Sequence, residues 1–253
     1  MPDASRRVFV TGGARGLGAA IVAALADAGH DVTFTYRSSA AEAEALAARL
    51  AASHPGRTFA ALQADLSDKT AVDKLAEDIG SGSAYSGFVH NAGETYDALA
   101  VMLDQDKAER TMQVNFWSFT RLAAALARPM TRARDGRMVA IGSITALYGN
   151  QGNAAYAASK AALLGYLRTL AIETARRGVT VNYVAPGFVD TDMMAPYAAY
   201  RETMEKQIPA GRFAKPEDIA GLVAFLMSPQ AAYITGAVLP VDGGLSAAIG
   251  IHR

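Results

Sequence analysis

Near the start of the chain, Arg7-Val8-Phe9-Val10 runs directly into Thr11-Gly12-Gly13-Ala14-Arg15-Gly16-Leu17-Gly18, and an apolar helical pattern follows as far as Ala28. A strand that turns through glycines into a helix is the first half of a βαβ unit, which demands a parallel crossover. Gly29 stops the helix, since glycine takes the left-handed backbone of a helix end without strain. The alternation then continues. Strands are expected at residues 7–10, 31–36, 58–63, 87–90, 137–141, 179–184 and 238–241. Helices are expected at residues 40–52, 70–79, 106–128 and 155–176, and from Pro216 onward. Proline suits the first turn of that last helix, where its missing N–H has no intrahelical partner. This order predicts an α/β fold, doubly wound, with a parallel sheet covered by helices on both faces. No linker, repeat or composition shift interrupts the 253 residues, so one domain over residues 1–253 is expected.

The glycine turn suits a phosphate. Without side chains at Gly12, Gly16 and Gly18 the backbone can turn tightly and approach a pyrophosphate, whose charge the helix N-terminus receives. The Gly-x-x-x-Gly-x-Gly spacing departs from the G-x-G-x-x-G dinucleotide fingerprint and lacks the Gly-Lys-Ser/Thr of a P-loop. The end of the second strand indicates which dinucleotide. An acid there would bind the ribose hydroxyls of NAD, but the chain has Tyr36-Arg37-Ser38 and no acid as far as Ala41. Arg37, with Arg15 from the glycine loop, can face a 2′-phosphate, so NADPH/NADP+ is the expected cofactor. Asp65, after the third strand, can accept from the adenine amino group or cap the next helix, for which Ser67 or Asp68 is better placed. Small residues in Asn91-Ala92-Gly93 let a ribose pass close to backbone. Pro186-Gly187-Phe188-Val189-Asp190-Thr191 can fix the nicotinamide carboxamide through Val189 backbone and the Thr191 hydroxyl. Leu17, Ser38 and Leu66 complete the expected contacts.

Tyr156 and Lys160 are four residues apart on an expected helix, hence on one face, thirteen residues after Ser143. Carbonyl reduction needs a hydride on carbon and a proton on oxygen. A phenol can give the proton if a cation stabilises its anion, and Lys160 is that cation. Ser143 can hold the carbonyl oxygen. Asn115 interrupts the apolar run Val114 to Phe119; a buried amide needs partners, either backbone or a water leading to Lys160.

Composition removes several alternatives. Lys plus Arg equals Asp plus Glu at 24 each, which does not suit nucleic acid. There is no cysteine, and His30, His54, His90 and His252 match no ligand spacing, so no metal site is expected. The first residues reach the apolar strand without a signal-peptide core, and no apolar run has membrane-spanning length. A cytoplasmic protein is expected.

Taken together, the glycine turn from Thr11, Asn91-Ala92-Gly93, Asn115, Ser143, Tyr156, Lys160 and Pro186-Gly187 resemble the signature of the short-chain dehydrogenase/reductase family, over essentially the whole chain. The resemblance implies a Rossmann-type fold with a seven-stranded parallel sheet. It implies an Asn-Ser-Tyr-Lys tetrad at Asn115, Ser143, Tyr156 and Lys160, and transfer from the pro-S side of the nicotinamide. Within the family the stretches at residues 91–97, 149–160, 184–193 and 233–244 are most similar to 3-oxoacyl-[acyl-carrier-protein] reductases. That similarity implies reduction of a β-keto thioester to the (3R)-hydroxyacyl product, an acyl-carrier partner and a homotetramer, with pairing to a related subunit also open. Glu94 and Ala154 depart from the usual pattern, and both are expected near the substrate mouth.

Two peripheral expectations follow. Residues 190–212, with Met193, Met194, Tyr197, Tyr200, Met204 and Ile208, read as one or two short helices forming a lid over an apolar substrate. Arg128, Arg132, Arg134 and Arg137 form the densest basic run, suited to an acidic carrier protein. Two other functions stay open: an NADPH reductase of a free ketone, sugar or steroid, and a noncatalytic dinucleotide sensor or scaffold.

Overall fold

The computed structural model describes residues 6–82 and 84–248. The chain start read above (residues 1–5) and His252 lie outside the described residues. The strands are β1 (Arg7–Thr11), β2 (Asp31–Tyr36), β3 (Phe59–Gln63), β4 (Gly87–His90), β5 (Gly136–Ile141), β6 (Val179–Pro186) and β7 (Val238–Val241). They form one sheet in the order β3-β2-β1-β4-β5-β6-β7, with every pairing parallel. The helices are α1 (Gly16–Asp27), α2 (Ala40–Ser53), α3 (Lys69–Ser81), α4 (Gln105–Met112), α5 (Ser118–Ala133), α6 (Ala154–Thr174), α7 (Arg201–Glu205) and α8 (Pro216–Met227).

Side chains alternate across the sheet and so divide the core in two. Val8, Val10, Val139 and Ile141 pack with Ile21 and Leu25 of α1, Leu46 of α2 and Val223 of α8. Phe9, Met138 and Ala140 point the other way, onto Leu75 of α3, Leu122 and Leu126 of α5 and Leu163 of α6. Central strands buried on both faces favour apolar side chains at successive positions, which explains the runs Val8–Val10 in β1 and Met138–Ile141 in β5. The order reverses between β1 and β4, and the crevice beyond their carboxyl ends is where an open α/β sheet takes a ligand.

Two helix expectations change. The helix expected over residues 106–128 is instead α4, a π turn at Gln113–Trp117, and α5. A π turn inserts one residue into the helical ladder, and Asn115 lies inside it. The helix also runs past Pro129 to Ala133 and ends at Arg134 in a left-handed conformation (φ 55°). The pattern Leu126, Ala127, Met130 keeps burying an apolar face near the helix end, which offsets the bond proline removes. Short helices over residues 190–212 are present as a 3-10 helix at Asp192–Tyr200 and α7.

Candidate active site

The glycine turn has the geometry a pyrophosphate needs. Gly12 and Gly16 have φ of 68° and 53°, a region open to glycine at no steric cost. A Cβ on Gly18 would lie 1.9 Å from the Gly12 carbonyl oxygen, so the backbones could not approach with any larger residue. Arg15 at the N-cap of α1 makes no side-chain capping bond, and the first turn carries no acid. Its N–H groups therefore suit an anion. Asn91 donates from Nδ2 to the Gly12 carbonyl at 2.8 Å, tying the turn to the end of β4. Thr191 reaches over from the segment after β6, its Cγ2 3.4 Å from where a Gly16 Cβ would stand. Gly187 packs so closely on Asp242 that a Cβ would come within 2.8 Å of it, and Pro186 closes β6.

Beyond the ends of β2 and β3 the residues expected at the adenosine gather with differences. Arg37 is exposed at the end of β2 and pairs with Glu94 at 3.6 Å. Arg15 pairs with Asp192 at 3.3 Å. Asp65 Oδ1 accepts from the Ser67 N–H and hydroxyl at 2.9 and 2.7 Å. The Ser67 backbone bond, above all, lowers its carboxyl. Asp68, not Asp65, caps α3, bonding Thr70 N–H at 2.8 Å. The Leu66 side chain is buried in the core, so only its backbone can meet a ligand; Leu17 is half-buried against the other core layer. Ser38 is exposed beside Arg37. Glu94, expected near the substrate mouth, has its carboxylate against Arg37 just beyond β2 and Arg110 of α4. Ala154 lines a shallow groove with Leu103 and Met112 between α4 and α6.

Ser143, Tyr156, Lys160 and Asn115 converge beyond the ends of β4 and β5. Lys160 is 2% exposed. Its Nζ donates to the Ile141 carbonyl at 2.9 Å and lies 5.7 Å from the Tyr156 ring centroid. Gly93 leaves room for it: a Cβ there would meet Lys160 Nζ at 3.2 Å and Asn115 Oδ1 at 3.4 Å. Asn115 uses its whole carboxamide. Oδ1 accepts from Glu94 N–H at 2.9 Å, and Nδ2 donates to the Glu94 carbonyl at 3.0 Å and to Ser159 Oγ at 2.9 Å. Ser159 Oγ in turn donates to the Tyr156 carbonyl at 2.7 Å. The expected backbone partnership of Asn115 is therefore met.

Titration differs from the expectation that the Lys160 cation acidifies the phenol. Burial pushes the Tyr156 hydroxyl up to about 12, and a hydrogen bond with Ser143 opposes that rise. Burial brings Lys160 down to about 8. A phenol in this state holds its proton firmly near neutrality. It remains a competent donor to an alkoxide, which is a far stronger base than a phenolate.

Two supporting residues lacked a sequence signal. Tyr183 of β6 is buried, and its hydroxyl accepts from Ser143 N–H at 3.1 Å and bonds the Lys160 carbonyl at 3.2 Å. Gly142 makes room for it, since a Cβ there would strike the Tyr183 ring at 1.8 Å. His90 is fully buried. Thr11 Oγ1 accepts N–H groups of Asn91 and Ala92 at 3.1 Å each, so its own proton goes to His90 Nδ1 at 3.0 Å. That assigns the imidazole proton to Nε2, which donates to the Asn115 carbonyl at 3.2 Å. The histidine thereby joins β1, β4 and the π turn.

The basic run divides. Arg137 is 5% exposed and donates to Asp135 and the Gly136 carbonyl, at 3.4 and 2.9 Å, so it is not a docking residue. Beside the start of a central strand, a guanidinium satisfies backbone carbonyls. Arg128, Arg132 and Arg134 are exposed at the amino end of β5, whereas Ser143 follows its carboxyl end.

Comparison with known proteins places this geometry. Residues 12–246 match the family described as Enoyl-(Acyl carrier protein) reductase. A 3-oxoacyl-[acyl-carrier-protein] reductase of Aggregatibacter actinomycetemcomitans is 42% identical over 243 residues, covering 95% of this chain and 99% of that protein. A short-chain dehydrogenase/reductase from Serratia marcescens superimposes with a TM-score of 0.88 at 38% identity, covering 95% of this chain and 98% of that one. A blue fluorescent protein from a metagenomic library, solved in complex with NADPH, gives a TM-score of 0.87 at 39% identity, covering 95% and 98%. Matches of this length and identity, on a sheet of the same form, make the chain a member of the short-chain dehydrogenase/reductase family.

Proposed function

We propose that this protein is an NADPH-dependent reductase of 3-oxoacyl thioesters, presented on an acyl-carrier protein, that yields the (3R)-3-hydroxyacyl product. The observation that carries this reading is the approach of the Ser143 and Tyr156 hydroxyls to each other beside buried Lys160. Two adjacent hydroxyls suit a substrate oxygen that must be held and then protonated. The family description names an enoyl reduction, which delivers its proton to carbon; the paired hydroxyls favour the oxygen.

NADPH, when bound, supplies the hydride. Gly12, Gly16, Gly18 and the first turn of α1 hold its pyrophosphate. Arg15 and Arg37, with Ser38, take the 2′-phosphate. Asp65, Leu66 and Asn91-Ala92-Gly93 lie along the adenosine, and Pro186, Gly187, Val189 and Thr191 along the nicotinamide. Ser143 orients the carbonyl and Tyr156 protonates its oxygen. Lys160 supplies positive charge behind the phenol and a bond to the cofactor ribose. Asn115, through Ser159 and the Glu94 backbone, fixes the start of α6 and supports proton resupply.

Residues 190–212 act as a substrate lid in this reading. Met193 and Tyr200 are exposed, while Ile208 is buried and anchors the far end. The assembly proposed is a homotetramer, or a pairing with a related subunit, in the cytoplasm. Exposed Trp117, Ile172 and Phe225 favour self-association. Among the described residues no helix is long and apolar enough to cross a membrane.

The test is a substrate panel with NADPH: acetoacetyl thioester, the matching enoyl thioester, and free ketones, sugars and steroids. The 3-oxo thioester is expected to give the highest kcat/KM. Preference for the enoyl thioester or for a free ketone would replace this reading.

A further inference from the structure

We propose that Glu94 limits this enzyme's preference for a cofactor bearing a 2′-phosphate, by competing for Arg37. The inference rests on the reading that Arg37 receives that phosphate. Arg37 stands just beyond β2 and Glu94 just beyond β4, so their contact at 3.6 Å spans the mouth of the adenosine crevice. Glu94 Oε1 also lies 3.1 Å from Arg110 Nε, and Arg110 donates from Nη1 to Ser67 Oγ at 2.8 Å. Ser67 Oγ then donates to Asp65 at 2.7 Å. One network thus holds two guanidiniums and two carboxylates, with no net charge where a phosphate dianion would arrive.

Glu94 cannot simply drift away. Asn115 clamps its N–H and its carbonyl, at 2.9 and 3.0 Å. Its side chain is 23% exposed, so solvent screens it incompletely. Arg37 is 56% exposed, and its contact with Glu94 is an ion pair longer than a hydrogen bond. Its donors therefore remain free to turn toward another anion. The incoming phosphate must draw Arg37 from Glu94 and then sit near that carboxylate. Arg15 and Asp192 repeat the arrangement at the lid, but there the side chains are 65% and 79% exposed. Solvent screening should make that pair weak.

Removing the Glu94 charge should leave a net cation at the crevice. Glu94→Gln keeps the shape of the side chain and leaves the backbone clamp in place. Titration of the full chain by cofactor fluorescence is expected to show a Kd for NADPH about three- to ten-fold lower in Glu94→Gln. The Kd for NADH should change less than about two-fold, because it brings no charge to that position. NADPH binding by the variant should also become more sensitive to salt. Asp192→Asn should shift NADPH binding by less than about two-fold. Arg37→Gln separates the two levels of the argument. If it leaves NADPH affinity intact, the reading of Arg37 fails and the inference with it. If Arg37→Gln weakens NADPH but Glu94→Gln does not tighten it, or tightens NADH equally, the inference alone is overturned. An equal gain in Asp192→Asn would also overturn it, by showing that loss of any nearby negative charge suffices.

Discussion

Tyr156 and Lys160 stand out in the sequence only in combination with the glycine turn and Ser143, since a Tyr-x-x-x-Lys pair alone is common in helices; their titration is not legible there at all. The sequence suggests a cation acidifying a phenol, but burial acts on both groups and in opposite senses. Desolvation penalises whichever form is charged, so it raises the phenol and lowers the ammonium. The consequence for pH is definite. Lys160 is protonated below about 8 and neutral above it, while Tyr156, near 12, keeps its proton throughout the working range. Carbonyl reduction needs both protonated, so kcat/KM with NADPH should be level at lower pH and fall about ten-fold per unit above about pH 8. A profile flat to pH 10 would mean that the ammonium charge is not required. Tyr183 and His90 had no such legibility. Their roles depend on where β6 and β4 put their side chains, which only tertiary packing decides.

At the scale of elements, the π turn at Gln113–Trp117 is the departure with most consequence. Local pattern reads residues 106–128 as one helix, since a single inserted residue hardly disturbs apolar periodicity. What betrays it is Asn115 in an apolar run. The turn gives the Asn115 carbonyl to His90 and its carboxamide to Glu94 and Ser159. His90 joins these pieces only while neutral. Burial depresses it from its usual 6.5 to about 3, with the Lys160 charge adding to the effect. The unfolded chain thus takes up this proton near pH 6.5 and the folded chain only near pH 3, so stability is complete above 6.5 and lost between 6.5 and 3. The loss is about 1.4 kcal/mol per pH unit from this residue. Urea unfolding of His90→Gln should show a shallower decline across that window, and an unchanged slope would exclude His90 as its source.

For the whole molecule, alternation of strand and helix was enough to foresee the sheet, because a parallel crossover leaves few topologies. Surface function was harder to read. The arginine run is continuous in sequence, yet its members part company in space: Arg137 satisfies backbone carbonyls at the start of central strand β5, and Arg128 and Arg132 face solvent on α5. Sequence proximity does not carry the information of which end of a strand a residue occupies. Docking of an acidic carrier at Arg128 and Arg132 remains a prediction at this scale. Reversing both charges should raise KM for carrier-bound substrate roughly ten-fold or more, and leave a short soluble thioester nearly unchanged. Equal effects on the two substrates would exclude docking there.

The central claim is that one buried hydroxyl gives the substrate oxygen its proton. Tyr156→Phe removes that hydroxyl and retains the ring. Steady-state reduction of acetoacetyl thioester should fall by roughly 10²–10⁴ in kcat, with NADPH affinity and thermal midpoint close to those of the parent. Turnover within a few-fold of the parent enzyme would contradict the account.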